Sequence, residues 1–288
     1  MTDKLQIIHL QNQSRITNHQ IMITHLFKLE WKKLATYRLF QILVALYIIL
    51  LPLSFLIGKD IDLPTENGDT ISFYTFPKVW DSLAYAGNWM SFFFLGFLGV
   101  LLITNEYAYK TLRQNLITGM SRQEYLIGKY IFMLSASLAV AIYYCIVGLG
   151  VGFYYTDYVI SETVFQHIDL VPRFFLMSFA YMNFAFMLGV LLRKMGLALF
   201  FYFVYTLIIE MVLRYYFHAK IFGEDAESRN YYPLNAFEDL TPFPITDFGP
   251  VTQTSNIFLE PNLAVMLTLV YSAIFIFISY SVFMKRDL

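Results

Sequence analysis

The chain has 288 residues, 58% of them hydrophobic and 14% charged, with a formal net charge of −1. Soluble domains run at about 45–50% apolar and about 25% charged, so this balance is that of a membrane protein and excludes a disordered chain. Near-neutral charge excludes the basic field that nucleic-acid binding needs, and a single cysteine, Cys145, excludes a disulfide framework or a thiolate metal site.

Residues 1–21 are polar, rich in Gln, Asn and His, and lack the apolar core of a cleavable signal. Met22 opens a more conventional beginning, and 1–21 is expected to be an arm outside the fold, disordered or non-native. The stretch Ile23–Arg38 mixes Leu26, Phe27, Trp31 and Leu34 with Lys28, Lys32, Lys33 and Arg38. Read as a helix, it gathers most of its apolar set on one side, the pattern of a helix lying in the membrane interface. Glu30 falls within the apolar sector and breaks that pattern. The competing reading is a solvated arm with snorkelling lysines.

Crossing ~30 Å of hydrocarbon takes about 20 apolar residues in a helix. Six runs qualify: Leu39–Ile57, Leu83–Ile103, Tyr130–Phe153, Phe174–Leu192, Gly196–Leu213 and Leu263–Met284. Barrel strands would be shorter and would alternate in polarity. Backbone in lipid must satisfy its own hydrogen bonds, so these runs are helices. Fourteen of the 20 Lys and Arg fall in the N-terminal arm, the second and fourth loops and the C-terminal tail, which places that side in the cytoplasm. The predicted fold is an all-α integral membrane protein in a single domain over 22–288. It has six transmembrane helices, both termini cytoplasmic, and an N-terminal interfacial helix. The outer loop between helices 5 and 6 carries Tyr231-Tyr232-Pro233 and Thr241-Pro242-Phe243-Pro244. So many aromatics are unusual in a solvated loop, and part of it is predicted to be re-entrant or to cap the bundle.

The second loop, from Asn105 to Lys129, is the most informative segment. Gly119 stops one short helix. Ser121 and Glu124 form a capping box, so a second helix starts at Arg122 and continues into the third span. A helix over Arg122–Phe153 would be ~48 Å long and would protrude about two to three turns beyond the membrane. The product is a short charged elbow joined rigidly to a spanning helix.

At this loop the chain resembles the membrane subunit of type-2 ABC exporters, the ABC-2-type permease family. Glu106 at the end of span two, Thr111-Leu112-Arg113, Gly119, the Ser121-Arg122 pair and Lys129 match the family pattern, and Lys110 stands where relatives often have Gly. The ending Phe283-Met284-Lys285-Arg286 is similar to the family's aromatic-plus-basic tail. The resemblance implies that Glu106, Thr111, Arg113, Ser121, Arg122 and Lys129 couple this chain to a separate ATP-binding subunit. It also implies a second permease subunit, in a homo- or heterodimer, and a bacterial inner-membrane location. Nothing matches G-x-x-x-x-G-K-[ST], so no cofactor is expected on this chain, and ATP and Mg²⁺ belong to the partner. The competing reading of the same charges is that they obey the positive-inside rule and nothing more.

Glu210 is the one acid deep in a predicted span, with Arg214 four residues on, a spacing that suits a structural pair. Intramembrane ionisable groups by default point to function, so a gate or substrate path at Glu210 and Arg214 stays open. Asn183 is expected to make an interhelical hydrogen bond, and Gly148-x-x-x-Gly152 permits close approach. No metal site is expected, because the five histidines are scattered and H-E-x-x-H is absent. G-x-S-x-G is absent too. Three functions are weighed: the membrane permease of an ATP-driven exporter of hydrophobic or amphipathic cargo, with no catalysis of its own; an intramembrane enzyme or processing factor using Glu210 and Arg214; and a passive scaffold.

Overall fold

A computed structural model describes residues 24–56, 63–64, 70–71, 73–158, 160–223, 227–241 and 258–286. The arm 1–21 and the stretch 242–257 lie outside the described residues.

The chain opens with two helices, α1 (Thr24–Ala35) and α2 (Arg38–Leu56), set at 90° to each other. Side chains make the corner. The Thr36 hydroxyl donates back to the carbonyls of Lys32 (3.3 Å) and Lys33 (3.0 Å), and the Gln41 amide donates to Ala35 O (2.7 Å). These bonds satisfy carbonyls that the end of α1 leaves without a helical partner. After a two-residue antiparallel bridge, Leu63–Pro64 with Thr70–Ile71, the remaining described elements are helices. The following helices are α3 (Lys78–Ala108), α4 (Thr111–Ile117), α5 (Arg122–Tyr155), α6 (Ser161–Phe165) and α7 (Leu170–Leu192). Then come α8 (Met195–Phe222), a 3₁₀ turn at Glu227–Tyr231, α9 (Pro233–Glu238) and α10 (Pro261–Lys285).

Among the described residues, five helical stretches are long and apolar enough to cross a membrane: α3, α5, α6 with α7, α8 and α10; the bent α1–α2 pair makes six when taken as one span. Each later predicted span lies within one of these helices; α5 starts eight residues ahead of its predicted span and α8 runs nine residues beyond its own.

The centre of the bundle is α7, which packs on α3, α5, α8 and α10. Phe174, Met177, Ala180, Met182, Ala185 and Phe186 on it are wholly buried. On α3, Gly99 lets this packing close, since a Cβ there would sit 2.4 Å from the carbonyl oxygen of Met182. Asn183 donates to Ser272 O of α10 at 2.9 Å, the interhelical bond expected of it. The glycines of Gly148-x-x-x-Gly152 on α5 admit aromatic rings rather than a second backbone: Cβ atoms there would strike Trp80 and Phe76. A π turn at Ser91–Leu95 widens α3 at mid-length, and Tyr202 of α8 donates its hydroxyl to Phe92 O (2.9 Å). A side chain entering at a π turn is a common way to satisfy a carbonyl that the wider turn frees.

The described part of the loop between α8 and α10 folds back on the bundle. Leu234, Ala236, Phe237 and Leu240 are buried, Asn88 of α3 donates to Thr241 Oγ1 (2.8 Å), and Thr268 of α10 donates to Ala236 O (3.1 Å).

Candidate functional site

The elbow begins where α3 ends. Lys110 takes the left-handed conformation, φ 57°; for an L-residue this costs roughly 1–2 kcal/mol. α4 then closes in a Schellman motif: Met120 N–H donates to Asn115 O (3.1 Å), Gly119 N–H donates to Leu116 O (3.2 Å), and Gly119 has φ 104°. Ser121 caps α5 reciprocally, its hydroxyl accepting from Glu124 N–H (3.2 Å) while Glu124 Oε2 accepts from Ser121 N–H (2.8 Å). The capped helix runs unbroken for 34 residues. Elbow and span are therefore one rod, ~51 Å long.

Beneath the elbow lies a buried charge cluster. Lys129 is 1% exposed, Glu30 5% and Glu106 6%. The Lys129 ammonium donates to Glu30 Oε2 at 2.6 Å and to Glu106 Oε1. Lys33 lies 3.3 Å from Glu106 and 3.5 Å from Glu30. The second oxygen of Glu106 accepts from Asn115 (3.3 Å) and Thr111 (3.5 Å) on α4. Two carboxylates against two ammoniums leave no net charge. The hydrogen bonds use the acceptors as well as the charges, which is what makes burial of ions tolerable. Lys129 also stands over the Tyr125 ring at 5.1 Å, and Tyr125 stacks on Phe283 of α10 at 5.3 Å. The cluster fastens four elements together: α1, α3, α4 and α5.

Of the residues predicted to couple, Glu106, Thr111 and Lys129 meet here and Ser121 is the cap. Arg122 turns elsewhere: its guanidinium donates to the carbonyls of Phe283 (3.3 Å), Met284 (2.9 Å) and Arg286 (2.9 Å). It thus caps the C-terminus of α10, the negative end of that helix dipole. Arg286 repeats the device on Leu191 O of α7 (2.8 Å). Arg113 is exposed on α4 with Gln114 and Ile117, the last 84% exposed, while Leu112 on the opposite face is buried. Sequence reasoning missed Glu30 and Lys33 as partners. The signal was present, because the acid that broke the apolar sector of α1 is the one that reaches Lys129.

The Glu210–Arg214 pair expected from i,i+4 spacing does not form. Glu210 accepts backbone N–H groups from Leu234 (3.1 Å) and Asn235 (2.8 Å), capping the N-terminus of α9 from outside. Arg214 donates to Arg229 O (3.1 Å) and Asn230 Oδ1 (3.1 Å). π turns at Tyr205–Ile209 and Leu213–His218 flank Glu210 and spoil the α-helical phase that the spacing assumes. Among the described residues no three metal-ligating side chains converge.

The chain is thus a multi-pass helical protein with a charged elbow rigidly continuous with a long apolar helix. The chain belongs to the ABC-2 transporter family: the family model for ABC-2 family transporter protein matches residues 24–288. It is accordingly a transport permease, and membership implies in general terms an ATP-binding partner subunit and pairing of permeases in the membrane. No curated protein matches the chain.

Proposed function

We propose that this chain is the membrane subunit of an ATP-driven exporter in a bacterial inner membrane, carrying hydrophobic or amphipathic cargo out of the cytoplasm. A separate ATP-binding subunit docks on the elbow 105–129, and two permeases enclose the path. The observation that carries this reading is the elbow itself. Its outward face, with Arg113, Gln114 and Ile117, is exposed, while its inward face is locked through Glu106 and Lys129 to α1, α3 and α5. A push on α4 therefore has nowhere to dissipate and must tilt α3 and α5.

In this reading α2 crosses the membrane as the first of six spans. α1, at 90° to it, then lies in the cytoplasmic interface with Lys28 and Lys32 exposed, both termini are cytoplasmic, and 233–241 caps the outer end as the inner limb of a partly re-entrant loop. No observation favours the enzyme reading, since both oxygens of Glu210 are taken by the α9 cap.

The test is a photo- or thiol-crosslink from Ile117→Cys in membranes of the native host. A crosslinked subunit bearing a Walker motif, with ATP hydrolysis in the purified complex, is the expected result. A chain that crosslinks to no nucleotide-binding subunit and co-purifies with none overturns the proposal.

A further inference from the structure

At the other end of α3, ~27 Å from Glu106 at 1.5 Å per residue, lies a cavity of about 320 Å³ between α3, α7, α8 and the folded-back outer segment. This volume falls in the range of small-molecule sites. Its apolar walls are aromatic: Tyr85, Trp89, Phe92, Tyr181, Tyr215 and Phe258. Its ionisable groups are Arg214, Glu238 and Asp239.

A census of hydrogen-bonding capacity shows what such a cavity would accept. Asn88 spends both amide hydrogens on Thr241 Oγ1 and Glu238 O, and its oxygen accepts from Tyr181. Asn235 spends its own on Asn230 O (2.8 Å) and Asp239 Oδ2 (2.7 Å). Thr206 donates to Tyr202 O. Arg214 is drawn to the wall by Arg229 O and Asn230, with its guanidinium over the Tyr215 ring at 5.2 Å. Arg214 spends two of its five N–H donors in this way, and against this one cation the lining sets two carboxyl groups, Glu238 and Asp239. Asp239, only 7% exposed, uses one oxygen for Asn235 and for the N–H of Leu259 (2.9 Å), and its other oxygen has no partner among the described residues. The Glu238 carboxylate, reached through the mouth, likewise has no hydrogen-bond partner among the described residues. Two carboxyl groups against one guanidinium give the cavity an excess of acid that an entering ammonium would neutralise, and aromatic faces attract such a cation further.

We propose that this cavity binds an amine-bearing amphiphile, its ammonium held by Glu238 and Asp239 and its apolar body by Trp89, Phe92 and Tyr215. The site goes beyond the coupling reading and needs no ATP-binding subunit, so failure of one leaves the other standing.

Phenylbutylamine, phenylbutyrate and phenylbutanol share one apolar body and differ in the head. Each is titrated by calorimetry into the full chain in zwitterionic-lipid nanodiscs, with empty nanodiscs subtracted. The amine is expected to bind one per chain and at least tenfold more tightly than the acid or the alcohol. Glu238→Gln, at an exposed side chain, is expected to lower amine affinity at least tenfold and to leave the alcohol unchanged. Trp89→Ala should weaken amine and alcohol together. Equal binding of the three heads, tighter binding of the acid, or an amine affinity that Glu238→Gln does not move would overturn the proposal.

Discussion

Replacing Lys129 by Met removes the central cation of the buried cluster while keeping the length of the side chain. Glu30 and Glu106 would then face a single ammonium, that of Lys33, whose side chain is 36% exposed. One carboxylate charge is left uncompensated at a site where both acids are at least 94% buried. Breaking a buried pair in this way costs about 3–5 kcal/mol, a large share of the 5–15 kcal/mol that typically separates folded from unfolded. At roughly 2–4 °C per kcal/mol, the melting temperature in detergent or nanodiscs should fall on the order of 10 °C. A second substitution makes the reasoning specific. Glu30→Gln in the Lys129→Met background restores charge balance, with Glu106 against Lys33, so the double variant should be more stable than Lys129→Met alone. Thermal unfolding of wild type, both single variants and the double gives the coupling energy directly. If the two losses simply add, or if Lys129→Met costs no more than Lys32→Met at the exposed face of α1, the cluster is not what ties α1 to the elbow.

Three further outcomes follow from the same geometry. Gly99→Leu should abolish folding, because even its Cβ would lie 2.4 Å from a backbone oxygen of α7; monodisperse expression at wild-type yield would refute this. Lys110→Gly should raise the melting temperature slightly by relieving about 1 kcal/mol of left-handed strain, and an unchanged or lower value would count against a strained turn. Burial pushes the Asp239 carboxyl up to about 7 from its ordinary 3.8, against the pull of the Leu259 N–H, Arg214 and Asn235. The folded chain therefore holds that proton more tightly than the unfolded one, so its contribution to stability is complete below about 3.8 and is lost as the pH rises through about 7. Hydrogen exchange over 233–241, corrected for intrinsic rates, should be faster at pH 8 than at pH 6, and Asp239→Asn should remove the difference.

The spanning helices and the elbow were legible because their determinants are local. A long apolar run in lipid has no alternative to a helix, and the cap of α5 is written in two residues, Ser121 and Glu124, that find each other across a single turn. Glu106 and Lys129 could be singled out by resemblance, yet their joining through Glu30 depends on the 90° corner at Thr36 and Tyr37, which swings α1 under the elbow. Periodicity treats an acid in an apolar stripe as noise, whereas the folded chain gives it the one buried ammonium within reach.

The same reasoning explains why Glu210 and Arg214 were misread. Spacing rules assume 3.6 residues per turn, and π turns on both sides of Glu210 break that phase. Even in ideal phase the pair would have had a competitor. The N-terminus of α9 presents two backbone N–H groups with no other helical partner, and a carboxylate that takes both gains hydrogen bonds and the favourable end of a dipole at once. That competitor sits more than twenty residues downstream in a loop whose sequence, rich in Tyr, Phe and Pro, carries no periodic signal. Its burial is decided by α3, α7 and α10, so only the assembled bundle could show that an intramembrane acid serves as a helix cap.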